Sequence, residues 1–168
     1  RHVQGVRVSD PDTVNVAEMV LCGSINKGIA NSIKRAGGRA LGLSGKDDNM
    51  LLAKKLGKKI TDEATGEVKE ADIGFVGDIV SVNSRVIRDL VGSGIVPIIA
   101  PIGVDEKGQT YNCNADTAAG AIAGALKAHR LLLLTDVAGV LNTDKELLRQ
   151  IDSLEVGGGD REENRVGG

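Results

Sequence analysis

The sequence has few aromatic residues, few cysteines and few prolines. Its 168 residues include one tyrosine, Tyr111, one phenylalanine, Phe75, and no tryptophan. Single-stranded nucleic acids need aromatic stacking platforms and duplexes need basic surfaces, so this composition and the net charge of -2 argue against nucleic-acid binding. The two cysteines, Cys22 and Cys113, match no metal or redox spacing, which indicates free thiols in a reducing compartment.

The chain also lacks the long apolar runs of a membrane protein and the polar bias of a disordered one. Hydrophobic residues make up 41% of the sequence and charged residues 26%, as in a soluble globular domain. A chain of this length can bury a core as one domain. We assign that domain to residues 1–155 and expect the glycine-rich, charged residues 156–168 to form a mobile tail.

Helical and aliphatic segments alternate along the chain, a pattern typical of a layered α/β domain. Capping and turn signals predict helices over 11–22, 24–36 and 84–91, strands over 39–43 and 95–100, and a β excursion over 50–82 with a turn at 62–66. Gly23 is expected to end the first helix. Pro97 favours an edge or a bulge in its strand, and four consecutive leucines at 131–134 predict a parallel strand covered on both faces.

Residues 110–116, Thr-Tyr-Asn-Cys-Asn-Ala-Asp, carry three polar side chains at the start of an alanine-rich helix. Asn114 has the position of an N-cap, and Asp116 falls in the first turn. A helix start offers free N–H groups and a positive dipole end, so an anion would be favoured beside Asn112, Asn114 and Asp116. These residues alone also fit a simpler alternative, a capped core helix that binds no ligand.

A second candidate site, residues 135–141, follows the leucine run directly. Open parallel sheets bind ligands beyond the carboxyl ends of their strands, so Asp136 and Gly139 would lie beside a nucleotide or substrate. The carboxylate could hold a ribose, a metal-bound water or nothing, and an Asp-x-x-Gly segment is also simply a good turn. The glycine loops at 42–45 and 92–94 lack the Walker A spacing and the third glycine of a dinucleotide fingerprint.

Seven motifs, taken in order, resemble the acetylglutamate kinases of the amino acid kinase family. They are Gly5-Val6-Arg7-Val8-Ser9-Asp10, Glu18-Met19-Val20 with Asn26-Lys27, Gly42-Leu43-Ser44-Gly45-Lys46-Asp47, Gly74-Phe75-Val76-Gly77, Ile99-Ala100-Pro101-Ile102-Gly103, Tyr111-Asn112-Cys113-Asn114-Ala115-Asp116 and Leu133-Leu134-Thr135-Asp136-Val137-Ala138-Gly139. The resemblance implies an α/β fold, a three-layer αβα sandwich with a mainly parallel central sheet. It also implies phosphorylation of the side-chain carboxylate of N-acetyl-L-glutamate in arginine biosynthesis, with ATP and Mg²⁺ as cofactors.

The resemblance also assigns roles to individual residues. Arg7, Asn112 and Asn114 match substrate-binding residues, and Asp116 matches the aspartate that organises the catalytic groups. The nucleotide would contact Asp136, Val137, Ala138, Gly139, Val140 and Leu141, and no residue is assigned as a metal ligand. A planar guanidinium suits a carboxylate, and a carboxylate nucleophile needs no general base. Catalysis would therefore consist of alignment and charge neutralisation.

The sequence departs from the family at its lysines. The family takes its principal cations and phosphate-binding glycines from a Lys-x-Gly-Gly strand, a His-Gly-Gly loop and a later Gly-Gly-Met-x-x-Lys segment, and this sequence contains none of them. We therefore expect a partial chain, with an incomplete domain that carries half of the acid site and part of the nucleotide site. Lys27 and Lys46 are expected to serve structure or solvent.

Two alternatives remain at this point. One is a member of the same family that acts on a related carboxylate such as aspartate, and the other is a catalytically incomplete binding or regulatory module of the same fold. The resemblance also suggests features that the sequence does not decide. They are feedback inhibition by arginine, a PII signalling protein as partner, a homo-oligomer, and a location in the bacterial cytoplasm or the plastid stroma.

Overall fold

A computed structural model describes residues 2–3, 6–7, 9–61 and 68–151, with 2–3, 6–7, 58–61 and 68–71 described by their backbone alone. The predicted turn at 62–66 and the predicted tail at 156–168 lie outside the described residues. The chain divides into two compact units, Arg1–Leu131 and Leu132–Gly168. The helices and strands named below belong to the first unit.

A short antiparallel pair, β1 (His2–Val3) and β2 (Val6–Arg7), precedes the first helix. Helix α1 (Pro11–Glu18) begins at Asp10, whose carboxylate accepts a hydrogen bond from the Thr13 N–H at 2.7 Å. That bond holds the pKa of Asp10 below its usual value.

The predicted helix break at Gly23 is wrong. A π-helical segment (Met19–Ile25) continues α1 directly into α2 (Asn26–Arg35). A glycine ends a helix by taking a positive φ, as Gly37 does after α2 with a φ of 88°. Gly23 does not have a positive φ, and it lies within the wider π-helical segment instead.

The remaining elements are β3 (Ala40–Ser44), β4 (Leu51–Lys55), β5 (Lys58–Thr61), β6 (Val68–Ala71), β7 (Val76–Val82), α3 (Arg85–Gly92), β8 (Val96–Ala100), β9 (Ile102–Val104), β10 (Thr110–Cys113) and α4 (Ala115–Leu126). Strands β3 and β8 pair in parallel, and β5 pairs with β6 antiparallel. Strands β10, β7, β4 and β9 close into a small barrel, in which β10 runs parallel to β7 and β4 runs parallel to β9. The predicted α/β class is confirmed.

A cluster of small and aromatic side chains fills the space between the barrel strands. Its members are Ala53, Tyr111 and Cys113, with Phe75 and Ile79 packed against them. A Cβ on Gly77 would lie 2.7 Å from the Tyr111 Cβ and 2.8 Å from the Cys113 Sγ, so this barrel position requires glycine. Burial raises the pKa of the Cys113 thiol, which therefore stays protonated and serves packing.

Asn26 joins α2 to the β3–β8 pair. Its side chain is 2% exposed, and its Nδ2 donates to the carbonyls of Leu43 at 3.0 Å and Ile98 at 2.7 Å. A Cβ on Gly42 would overlap the Asn26 Oδ1, so the side-chain amide of Asn26 packs directly against the backbone of Gly42. Lys27 Nζ donates to the Gly42 carbonyl at 2.7 Å on the same strand.

Lys27 and Lys46, which were expected to serve structure or solvent, both contact partners within the fold. Besides the bond from Lys27 to strand β3, Lys46 Nζ lies 2.8 Å from the Glu18 carboxylate at the end of α1, and both of these side chains are about one-third exposed. Each ammonium group is thus occupied by a partner within the fold.

The predicted strand at 131–134 is wrong. These leucines form no strand, and their exposed fractions are 44%, 71%, 56% and 93% in chain order. A strand requires a neighbour that completes its backbone hydrogen bonds, and none of the described strands pairs with this run. The expectation for Pro97 is confirmed, since its strand β8 pairs only with β3 among the described strands and so forms an edge. In the part of the chain that is described, no helix combines the length and apolarity needed to cross a bilayer.

Candidate functional site

The junction of β10 and α4 brings the three predicted polar residues together. Burial alternates along β10, with Tyr111 and Cys113 buried and Asn112 half-buried, and Asn114, the next residue after the strand, is exposed. Successive side chains of a strand point to opposite faces, so Asn112 lies on the face directed away from the barrel cluster. Asn114 follows the strand directly as the N-cap of α4. Asp116 lies exposed in the first turn of α4.

Asn114 caps α4 as predicted. Its Oδ1 accepts hydrogen bonds from the Thr117 N–H at 2.9 Å and the Thr117 hydroxyl at 3.1 Å. Among the described residues, its Nδ2 and the backbone N–H groups of Ala115 and Asp116 donate to no partner. The junction therefore offers several donors at a helix start, where the helix dipole favours an anion.

Backbone hydrogen bonds hold the junction on two sides. The Asn112 N–H donates to the Phe75 carbonyl at 2.9 Å, and the Cys113 N–H donates to the Pro101 carbonyl at 2.9 Å. Asn112 is opposite Val76 in β7 and Ile102 in β9. The strand that carries Asn112 is thus fixed in register before any ligand binds.

The turn that leads into β10 is fixed by Asp105. Its Oδ1 accepts from the N–H groups of Gln109 and Lys107, each at 2.9 Å, and its Oδ2 accepts from the Tyr111 hydroxyl at 3.2 Å. The Gln109 bond is the main cause that holds the pKa of Asp105 below its usual value. Asp105 thus links its turn to the strand that carries Asn112.

Arg7 is described by its backbone, which lies in β2 opposite His2. Two residues later, Ser9 donates its N–H to the Ile73 carbonyl at 3.1 Å and accepts from the Phe75 N–H at 2.7 Å. Phe75 in turn accepts from Asn112, and two residues span at most about 7 Å of chain. The fold therefore brings the chain segment of Arg7 close to the strand of Asn112.

Residues Asp136 to Leu141 belong to the second unit. Leu141 forms an antiparallel bridge with Leu147, and the Leu148 N–H donates to the Val140 carbonyl at 2.8 Å. Asn142 Oδ1 closes the turn between them by accepting from the Glu146 N–H at 2.8 Å. The segment ends in a local turn, while Asp136 and Val137 are exposed.

Neither a metal centre nor a reactive thiol emerges from the described residues. Among them, no group of three or more His, Cys, Asp or Glu side chains could hold a metal ion. Both cysteines are free, as predicted, and burial raises the pKa of Cys22 as it does that of Cys113. Nucleophilic catalysis by a thiolate is therefore not favoured at either position.

The sequence patterns did not predict the structural role of the segment around Gly74. Gly74 forms a bridge with Ser9, and the neighbouring Phe75 accepts a hydrogen bond from the Asn112 N–H. The glycine belongs to a motif that was recognised, Gly74-Phe75-Val76-Gly77, without a structural role. A glycine directly before an aromatic residue at a strand start was the available signal, because it is typical of a bulge or a close backbone approach.

Comparison with known proteins gives relatives over the whole chain. The sequence is similar to an acetylglutamate kinase of Granulibacter bethesdensis, with 49% identity over 168 residues that cover 100% of this chain and 56% of the relative. It is 55% identical over 149 residues to an acetylglutamate kinase of Rhodospirillum centenum, which covers 89% of this chain and 49% of that protein. The chain thus spans about half the length of the curated relatives it matches.

The chain is also similar to a solved structure. The smu.665 protein of Streptococcus mutans matches with a TM-score of 0.73 and 31% sequence identity, over 94% of this chain and 59% of that one. The α/β architecture with its parallel strand pairs agrees with the fold that the seven motifs predicted. The sequence profile described as "Amino acid kinase family" matches residues 1–161. The chain belongs to the amino acid kinase family.

Proposed function

We propose that this chain is the central part of an acetylglutamate kinase, which transfers the γ-phosphoryl group of ATP to the side-chain carboxylate of N-acetyl-L-glutamate. The observation that carries the proposal is the β10–α4 junction, where Asn112, Asn114 and Asp116 gather at a helix start. Relatives that bear the name acetylglutamate kinase are about half identical to the chain over most of its length.

The junction suits an acidic substrate with an amide group. The free Nδ2 of Asn114 and the N–H groups at the start of α4 can donate to a carboxylate or an acetamido oxygen, and the Asn112 amide offers both a donor and an acceptor. Arg7 would add a bidentate guanidinium for the second carboxylate. Asp116 would orient the cations around the transferring phosphoryl group.

ATP would lie against residues Asp136 to Leu141 and would bring Mg²⁺ with it. The described residues provide no set of three metal ligands, so a metal held by the protein alone is not part of the proposal. The contribution of the chain is to align an already ionised carboxylate with the phosphoryl group. The bacterial relatives favour a cytoplasmic location. We also propose, from the family resemblance, feedback inhibition by arginine, a PII signalling protein as partner and a homo-oligomeric state.

A second candidate function is binding without turnover. The sequence contains neither the Lys-x-Gly-Gly strand nor the Gly-Gly-Met-x-x-Lys segment, and Lys27 and Lys46 are occupied within the fold. A chain with an acid site but without these lysine motifs could bind N-acetylglutamate and release it unchanged.

Trapping the acyl phosphate as a hydroxamate tests these candidates, with Mg-ATP and N-acetylglutamate, free glutamate or aspartate as acceptors. In a full-length kinase that contains this chain, we expect a product with N-acetylglutamate alone, and loss of that product in Asp116→Asn by on the order of 100-fold or more. Asp12→Asn is the matched control, since Asp12 also lies exposed in the first turn of a helix, α1.

Calorimetric titration of N-acetylglutamate separates the remaining outcomes. Binding without hydroxamate would support the binding module. A product with aspartate would move the substrate assignment to another member of the family, and the absence of both binding and product would contradict the proposal.

A further inference from the structure

Gly74 occupies a position where only glycine fits. Its φ is 75°, in the left-handed region, and it forms a parallel bridge with Ser9. A Cβ at this position would overlap the Ser9 carbonyl oxygen and lie 2.7 Å from the Ser9 carbonyl carbon. The obstacle is backbone, which cannot rotate away as a side chain can, so the close approach depends on the missing Cβ.

The approach creates a continuous line of backbone hydrogen bonds. The Phe75 N–H donates to the Ser9 carbonyl at 2.7 Å, and the Phe75 carbonyl accepts from the Asn112 N–H at 2.9 Å. Phe75 therefore bonds on one side to the segment that follows Arg7 and on the other to the strand that carries Asn112. Its ring also packs against Tyr111, with the ring centroids 6.2 Å apart.

Asp72 stabilises the Gly74 conformation on the side opposite Ser9 by accepting a hydrogen bond from its N–H. The Gly74 N–H donates to the Asp72 Oδ1 at 2.8 Å, and Lys55 Nζ lies 2.8 Å from the same oxygen. The hydrogen bond from Lys55 and then that from Gly74 lower the pKa of Asp72, which keeps this carboxylate ionised as an acceptor. Ser9 is 1% exposed, so the contact on the other side is buried.

We propose that Gly74 is a positioning residue. By letting Phe75 bond to Ser9 and Asn112 at once, it fixes the distance between the segment that carries Arg7 and the strand that carries Asn112. Arg7 and Asn112 are two of the groups that hold the acidic substrate in the proposed function, on which this part of the inference rests. Gly74 itself touches no substrate and acts through the backbone of Phe75.

Gly74→Ala tests the inference, with Gly94→Ala as the matched control. Gly94 also has a positive φ, 69°, but a Cβ there would meet nothing within 4 Å, so both variants carry similar backbone strain and one alone carries the clash. In Gly74→Ala we expect faster hydrogen exchange at the Phe75 and Asn112 amides. We also expect binding of N-acetylglutamate to weaken by on the order of 10- to 100-fold, with ATP binding unchanged.

A milder variant guards against loss of folding. Replacing the amide that joins Gly74 to Phe75 by an ester removes the N–H that donates to Ser9 and leaves every side chain in place. We expect the same two effects, smaller in size, at Asn112 exchange and acid binding. Unchanged Asn112 exchange in the ester variant, or equal effects in the Gly74 and Gly94 variants, would overturn the inference.

The binding measurement and the hydrogen-exchange measurement test different parts of the inference. If the unmodified chain does not bind N-acetylglutamate, the proposed function is contradicted, and the substrate part of the inference falls with it. The hydrogen-exchange comparison is independent of any ligand and still decides whether Gly74 couples Ser9 to Asn112.

Discussion

The two regions that carry predicted site residues differ in how they are held. Around Asn112, the strand is bonded on both edges, and Tyr111 and Cys113 beneath it are buried. Around Asp136, the preceding leucines are up to 93% exposed, and the hydrogen bonds between residues 140 and 148 are local. A site built on paired strands is positioned before its ligand binds, whereas a local turn fixes only its own backbone.

The largest expected effect contrasts one leucine from each region. Leu51 in β4 is fully buried, so Leu51→Ala should destabilise the fold by about 2–5 kcal/mol through lost burial and a cavity. Leu134→Ala removes a side chain that is 93% exposed and should change stability by less than about 0.5 kcal/mol. Urea denaturation followed by circular dichroism measures both. A large loss in Leu134→Ala would show that the leucine run is packed, against this account.

A smaller effect contrasts two glycines. Gly77→Ala places a methyl group against Tyr111 and Cys113 and should cost about 1–3 kcal/mol by overpacking. Gly120→Ala, in the interior of α4 with open space around it, should stabilise the protein by up to about 1 kcal/mol because alanine is the better helix former. Thermal unfolding of both variants checks the sign of each change. Equal stability changes in the two variants would mean that the barrel can accommodate a methyl group at position 77.

The smallest expected effect concerns pH. The pKa of Asp105 is lowered from its usual 3.8, so its hydrogen bonds contribute stability above that pH and lose it as the pH falls through the folded-state value. The Asp105→Asn variant should therefore show a weaker loss of stability than the unmodified chain between about pH 5 and pH 2. Urea midpoints across this range give the difference. Parallel curves for the two proteins would indicate that Asp105 does not bond in solution as it does in the structure.

Local signals in the sequence were enough for the helix start at Asn114, the edge position of Pro97 and the α/β class. A cap depends on residues three positions apart, and a proline excludes a ladder bond whatever surrounds it. Lys27 and Lys46 were expected to serve structure or solvent, but their partners, Gly42 and Glu18, could not be predicted.

Features that depend on distant partners could not be predicted. The four leucines have the composition of a buried strand, but composition does not supply the neighbouring strand. Gly23 has the identity of a helix terminator, yet the chain continues through a π-helical segment into α2, where Asn26 bonds to the β3–β8 pair. The closure of the barrel and the contact of Gly74 with Ser9 likewise join residues far apart in sequence.

The central claim is that the β10–α4 junction binds an acidic, acetylated amino acid. The most direct measurement is a titration of the isotope-labelled chain with N-acetyl-L-glutamate, followed by NMR at the side-chain amides of Asn112 and Asn114. Free L-glutamate serves as the comparison ligand. The account predicts saturable shifts at both amides and at the N–H groups of Ala115 and Asp116, with the acetylated ligand alone. Shifts confined to other parts of the chain, or none at saturating ligand, would contradict it.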